Sequence, residues 1–357
     1  MTGRTRLPPA LEPYLRLPPE TSLILLTGTL GCAVHWVTAR FVGSFLAPLR
    51  GAESAAGVGP GAGVRSGAGV RGSGYGFGDG DGKRGEEEGQ EGQEEEEEQE
   101  TAVILASWLR GEKFWATEIR RTCVHTPKLT TANRYLHLDF LRNPCSLADL
   151  ESTVSQAVTK LSPPEAPRAP GQKNTSKKKK KKKRKIVLIL DNPDLLLALT
   201  ACSAQDLYTT LLRLRSQTYA MVVSCAGDAP LLGAAAAAAA VSGDAASALQ
   251  TTTTTTPLEA ESAGFVVQMV YAARFVIGVR GLETGSARDV SGVLRVTRGG
   301  GVHDDQKEEE EEEGEEEDEW GRGSRGKGKG EEVKEMEALF LVGRDGGARV
   351  FERGAVG

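Results

Sequence analysis

The sequence predicts an α/β fold built on a mostly parallel sheet. Three observations carry that prediction. Short apolar runs such as "LILLTG" and "TAVILASWL" alternate with segments of helical periodicity. Strands of about five apolar residues alternating with helices are the mark of a parallel sheet covered on both faces. The low-complexity stretches fall between these elements, never inside them.

The elements follow in order. "LPPALEPYLRLPPETS" is a proline-punctuated lead-in with room for a short helix. "LILLTG" is a buried strand closed by glycine, and "CAVHWVTARFVGSFLAPL" places apolar residues at helical spacing. "TAVILASWL" is the next strand. "GEKFWATEIRRTC" is a helix with Phe114, Trp115 and Ile119 on one side. "RYLHLDFL" is a third strand. "SLADLESTVSQAVTKL" is a helix opened by Ser146 as N-cap, with Asp149 three residues on. "KIVLILDNPDLLLAL" is a strand ending at Asp191, a turn at Pro193 and a helix; "SAQDLYTTLLRLRSQ" is a further helix and "YAMVVSCAG" a further strand. The closing part changes character: "ARFVIGVRGL", "SGVLRVTRGG" and "ALFLVGRDGGARVFERG" are strands joined by short turns, with "RDGGAR" using glycine where a hairpin needs φ > 0. A parallel βα core running into an antiparallel meander is a RecA-like architecture.

The 357 residues give a length prior of two domains, but the low-complexity stretches at about 51–100, 161–185, 231–256 and 301–333 lower it. Gly/Glu-rich, Pro/Lys-rich, Ala/Thr-rich and Glu/Gly-rich compositions bury too little apolar surface to offset chain entropy. They read as disordered insertions in surface loops. What remains is about 220 residues, a single domain. The net charge of −5 is a small difference between opposing charge blocks, so it excludes no class of partner.

The five cysteines (Cys32, Cys123, Cys145, Cys202, Cys225) form no CxxC pair, so no zinc site is expected and the thiols read as ordinary buried ones. Their odd number and the lack of a leader point to a reducing compartment, in which the Asn174-Thr175-Ser176 sequon goes unused. Residues 23–49 are the most apolar window, yet His35, Arg40 and several Gly and Thr interrupt it, so no membrane span is expected.

The turn after "LILLTG" lies where a nucleotide-binding protein carries its phosphate loop. Such a loop reads GxxxxGK[ST]: backbone N–H groups cradle phosphates, the lysine reaches the terminal phosphates and the hydroxyl holds Mg²⁺. Starting from Gly28, the last three positions fall on Ala33, Val34 and His35. Ending at Gly31, they fall on Gly31, Cys32 and Ala33, with Leu26 at the first position. Neither frame supplies the lysine or the Mg²⁺ ligand. Gly28 and Gly31 therefore mark a degenerate loop. Asp191, ending an apolar strand, is either a Mg²⁺-coordinating carboxylate or a turn residue before Asn192-Pro193, and without a working loop the turn reading leads.

No catalytic, cofactor or metal residue emerges elsewhere. His35, His125, His137 and His303 lack metal-ligand spacing, and Ser22, Ser107 and Ser224 lack a GxSxG context. The lysine run at 177–185 is a backbone contact for nucleic acid, an import signal or a drifted repeat; no aromatics interleave with it. Arg288, Arg295 and Arg298 put three arginines near one sheet edge. They are candidates for an RNA or subunit contact, or the charged face of a half-exposed edge strand.

"LETGSARDVSGVLRVTRGG" resembles a signature of the fungal Elongator complex protein 6 family. "LPPALEPYLRLPPETSLILLTGTLGCAVHWV", "VILASWLRGEKFWATEIRR", "VLILDNPDLLLALT" and "LFLVGRDGGARVFERG" resemble other parts of the same family, and together they cover most of the ordered residues. The resemblance implies a RecA-like fold without phosphate-loop and metal-binding residues, no catalytic residue and no cofactor. It implies partners: Elongator subunits four and five in a hetero-hexameric ring, the catalytic Elongator core, and tRNA bound through the assembled ring. It implies a part in wobble-uridine modification, an association with transcription elongation, and a cytoplasmic and nuclear location without a membrane. The alternative is a RecA-like ATPase with a non-standard nucleotide site.

Overall fold

A computed structural model describes residues 8–47, 100–142, 145–162, 184–228, 256–285, 287–301, 333–343 and 345–351. The four low-complexity stretches lie outside the described residues except at their ends. At those ends Leu161 closes a helix, Lys185 opens a strand and Thr256 caps a helix.

A 3₁₀ turn at Pro9–Leu11 precedes strand β1 (Ser22–Gly28) and helix α1 (His35–Leu46). Strand β2 (Thr101–Ser107), helices α2 (Glu112–Arg120) and α3 (Thr126–Thr131), strand β3 (Tyr135–Asp139) and helix α4 (Leu147–Leu161) follow. Next come β4 (Lys185–Asp191), α5 (Leu195–Leu199), α6 (Ala204–Gln217), β5 (Ala220–Ala226) and α7 (Pro257–Ala272). Strands β6 (Phe275–Arg280), β7 (Gly292–Arg298), β8 (Met336–Val342) and β9 (Ala348–Phe351) close the chain.

The nine strands form one sheet in the order β3-β2-β4-β5-β1-β6-β7-β8-β9. The pairings from β3 to β6 are parallel, and those from β6 to β9 antiparallel. This is the mostly parallel α/β class that the sequence predicts, with helices on both faces and a closing antiparallel region.

Both faces are dry along the central parallel strands β1, β2, β4 and β5, which are apolar through their middles. On β1, Ile24 and Leu26 join the core under α1, α2 and the lead-in, while Leu23 and Leu25 join the one under α4 to α7. All four are 0% exposed. Each such side chain contributes roughly 1.5–3 kcal/mol by burial. The side-chain oxygens of Ser146, Ser203 and Thr256 each accept the N3 backbone N–H, and their own backbone N–H groups donate to the carboxylates of Asp149, Asp206 and Glu259, which fixes where α4, α6 and α7 begin.

Three expectations need correction. Only the β8–β9 connection is a tight turn. There Gly343 N–H donates to Gly347 O at 2.8 Å and Gly346 takes φ +78. The β6–β7 and β7–β8 connections run over 281–291 and 299–335. β7 is not an edge strand, because β6 and β8 flank it. Not all thiols are buried: the five cysteines are free, and Cys123 is exposed while Cys32, Cys145 and Cys225 are buried. Helices α3 and α7 were not anticipated from the sequence.

Candidate functional site

The site lies at the C-terminal ends of the parallel strands, where loops leave the sheet and ligands of open α/β proteins bind. Register places Ser107 of β2 opposite Asp191 of β4, and Asp191 opposite Ser224 of β5. Three polar side chains thus share one rung at the end of an otherwise apolar layer.

Asp191 is 0% exposed. Ser107 Oγ donates to its Oδ2 at 2.7 Å, and Ser224 Oγ to its Oδ1 at 3.2 Å. Arg110 Nη1 lies 3.2 Å from each of the two oxygens. Arg110 is held in turn: its backbone N–H donates to Ser107 Oγ at 3.0 Å, and its guanidinium rests 5.3 Å over the Phe114 ring. A carboxylate removed from water is stable only when its charge is matched and its oxygens are bonded. Arg110 and the two serines meet that need: Asp191 ends β4 just before the turn, as the sequence places it, and its carboxylate is held by an ion pair and two hydroxyls. The turn begins at Asn192, which takes φ +58.

A divalent cation at Asp191 would have to displace the guanidinium, which already supplies the positive charge and both contacts. Among the described residues no group of three or more His, Cys, Asp or Glu is arranged to hold a metal ion.

The loop between β1 and α1 is also occupied by the protein itself. Thr29 N–H donates to Val279 O at 3.1 Å and Cys32 N–H to Thr29 O at 2.8 Å, while Leu30 N–H donates to Asp228 Oδ1 at 2.6 Å. A carboxylate of the β5 end therefore sits on the loop's tip. Gly31 has φ +83, the left-handed region that favours glycine. At Gly28 an added Cβ would meet Cys32 O at 2.9 Å, so the turn is tight for a reason of packing. In the frame that starts at Gly28, the lysine position is Val34, buried at 5% exposure, and the hydroxyl position is His35. The His35 ring meets Phe114 edge-on at 5.3 Å. Burial, and then the Arg110 charge, push its pKa below the ordinary histidine value. At neutral pH it brings no cation to the loop.

Asp194 stands behind this rung. It accepts Ala226 N–H at 3.1 Å, and burial raises its pKa to about 6. His137 on β3 is likewise pushed down by burial, and its Nε2 has no hydrogen-bond partner among the described residues. His125 is exposed and His303 lies outside the described residues.

The three arginines singled out in the sequence do not converge. Arg288 is exposed in the 281–291 connection at the C-terminal end of β6, and Arg295 is exposed in the middle of β7 opposite Glu337. Arg298 ends β7 opposite Phe275, at the other end of the sheet. Of the lysine run, only Arg184 and Lys185 are described. Arg184 pairs with Glu100, and Lys185 lies 4.5 Å over the Tyr219 ring. Arg110 and Asp228 were missed in the sequence, since their partners lie 81 and 198 residues away. Among the described residues no helix is long and apolar enough to cross a membrane.

No family model and no curated protein matches the chain. Among solved structures it is similar to a KaiC-like protein of the hyperthermophilic archaeon Pyrococcus horikoshii. That similarity has a TM-score of 0.43 at 11% identity and covers 94% of this chain and 91% of that chain.

Proposed function

We propose that this chain is a non-catalytic, RecA-like subunit that acts by assembly: a member of the accessory ring of Elongator. In this reading it joins subunits four and five in a hetero-hexamer, which binds tRNA and supports wobble-uridine modification by the catalytic core, in the cytoplasm and nucleus. The observation that carries the non-catalytic part is the Arg110–Asp191 pair. A guanidinium occupies the acidic residue on which a nucleotide-bound Mg²⁺ would rely. Val34 at the lysine position and the Asp228 carboxylate on the loop tip support the same reading. The Elongator part is supported by the residue strings quoted above.

Assembly is supported by apolar side chains left in water at the same end of the sheet. Leu30, Leu109 and Leu141, just after β1, β2 and β3, are 92%, 45% and 48% exposed. Exposed leucines following the neighbouring strands β2 and β3, with a third after β1 at the same end of the sheet, fit a protein interface. The alternative, an ATPase with a non-standard site, has Asp191 at the appropriate strand end in its favour, but it requires Arg110 to leave and a new cation to arrive.

Native mass spectrometry of the chain co-expressed with its host's candidate subunits four and five tests the proposal. A hetero-hexamer with two copies of each subunit is expected. A monomer or homo-oligomer that ignores both partners overturns it.

A further inference from the structure

The sheet has two edges, and they are not alike. At one edge β9 is four residues long and lies against the 3₁₀ turn of the lead-in. At the other edge is β3, and among the described residues no strand pairs with its outer side. Burial marks the difference from an inner strand: four of the five β3 residues are half-exposed, whereas six of the seven in its neighbour β2 are buried.

Backbone alternation fixes which groups β3 turns outward. Val103 N–H donates to Arg134 O at 2.8 Å and Phe140 N–H to Ser107 O at 3.0 Å, so the even-numbered residues bond to β2. The N–H and C=O groups of Tyr135, His137 and Asp139 therefore face away from the sheet, repeating about every 6.7 Å. Natural edges are blunted by charges, prolines or bulges. "YLHLD" has no proline, its register against β2 runs unbroken, and its charge comes at the last position.

Beside this edge runs a groove of about 410 Å³, walled by β3 on one side and by α4 on the other. Leu138, Phe140 and Cys145 give it an apolar base, and Thr153 lines it from α4. Its ionised groups are Asp139 and Asp149, and no lysine or arginine lines it. Asp149 is fully exposed, and its bonds from Ser146 hold the carboxyl below the ordinary carboxylate value, so the charge is present at neutral pH.

A row of outward N–H and C=O groups at strand spacing is matched by another extended backbone, and a helix lying alongside gives that backbone's side chains a wall to pack on. Two carboxylates without a cation among the lining residues select a basic side chain.

We propose that this groove takes an extended, basic segment of a partner protein, which adds to β3 as a further strand and lays its cation beside Asp139 and Asp149. The reading does not depend on the ring: it assigns the chain a peptide-binding edge of its own.

Fluorescence anisotropy on the full chain tests it. The probe is a labelled heptapeptide alternating valine and lysine. One control carries N-methyl groups on the three central amides, and the other has glutamate for lysine. Wild type is expected to bind the probe, and each control about ten-fold more weakly, because one lacks strand donors and the other faces two carboxylates. His137→Pro is expected to weaken probe binding about five-fold: it removes an outward donor and leaves the β2 ladder intact, a position where strands tolerate proline. Thr153→Arg fills the groove from the surface of α4 with a cation and is expected to weaken binding at least as much, which keeps the test open should His137→Pro melt early. Equal binding of the N-methylated peptide, no binding of the probe at millimolar concentration, or wild-type affinity in Thr153→Arg overturns the proposal. So does a wild-type homodimer in sedimentation that Thr153→Arg dissolves, which would make a second copy the occupant. Native mass reads ring assembly and anisotropy reads the β3 edge, so the two readings fail separately.

Discussion

Arg110 places one guanidinium nitrogen 3.2 Å from both carboxylate oxygens of Asp191, and Asp191 is wholly buried. The pair joins the end of β2 to the end of β4, two neighbouring strands of the sheet. Removing the cation leaves a buried charge with two serine hydroxyls and no counter-charge. Arg110→Ala is expected to destabilise the fold by roughly 3 kcal/mol. Arg110→Ala combined with Asp191→Asn is expected to cost less than the sum of the two single changes, because each removes the other's penalty. Urea denaturation of the three variants checks this; additive costs would mean that the pair contributes no coupling.

The Asp228–Leu30 contact is a weaker tie, since Leu30 is 92% exposed. Asp228→Ala is expected to change global stability by less than about 1 kcal/mol, because water replaces the lost acceptor at an exposed donor. The local effect is larger. Hydrogen exchange at the Leu30 amide is expected to rise several-fold, while exchange in β1 stays unchanged.

Asp194 makes stability depend on pH. Its folded-state pKa is raised to about 6 by burial, above the ordinary carboxylate value. Its contribution is therefore fully present below the unfolded value and is lost as pH rises through about 6. Asp194→Asn removes this dependence while keeping an acceptor for Ala226 N–H. The stability of wild type relative to Asp194→Asn is expected to fall by about 2 kcal/mol between pH 4 and pH 7. Chemical denaturation at both pH values reads the difference, and a constant gap would remove Asp194 as its source.

Two glycines in helices predict opposite signs. A Cβ on Gly43 of α1 would lie 2.4 Å from Thr122 Oγ1, which itself donates to Ile119 O. Thr122 is β-branched and stiff, so Gly43→Ala is expected to cost about 1–3 kcal/mol. On Gly264 of α7 the nearest atom to a new Cβ is Ala204 Cβ at 3.8 Å, an ordinary contact. Gly264→Ala is expected to stabilise by up to about 1 kcal/mol through helix propensity. Thermal melts of the two variants check the signs.

The legible and illegible parts of the chain divide along a physical line. Ser146 with Asp149 announces α4 because a capping box is local. Thr256 with Glu259 is the same box, yet it ends a threonine run, which hides it. The helix it opens offers no clear stripe either: Phe265, Val266 and Met269 are buried while Val267 and Tyr271, also apolar, are exposed. The missing lysine of the phosphate loop is readable at Val34, because the motif is contiguous. What fills the site in its place is not readable. Arg110 reaches Asp191 only because β2 and β4 are neighbours although β3 separates them in the chain, and Asp228 reaches Leu30 only because β5 lies beside β1. The antiparallel run of β7 also separates Arg298, opposite Phe275, from Arg288 at the other end of the sheet, so the three arginines do not share one edge.

The most direct test of a site filled by its own side chains is the melting temperature of the full chain with millimolar ATP and Mg²⁺. A ligand that binds only the folded state raises the melting temperature by mass action. The account predicts no shift for wild type beyond that given by Mg²⁺ and sodium salts of equal ionic strength. A Mg²⁺-dependent rise with ATP, abolished by Asp191→Ala, would contradict it and make the nucleotide site a working one.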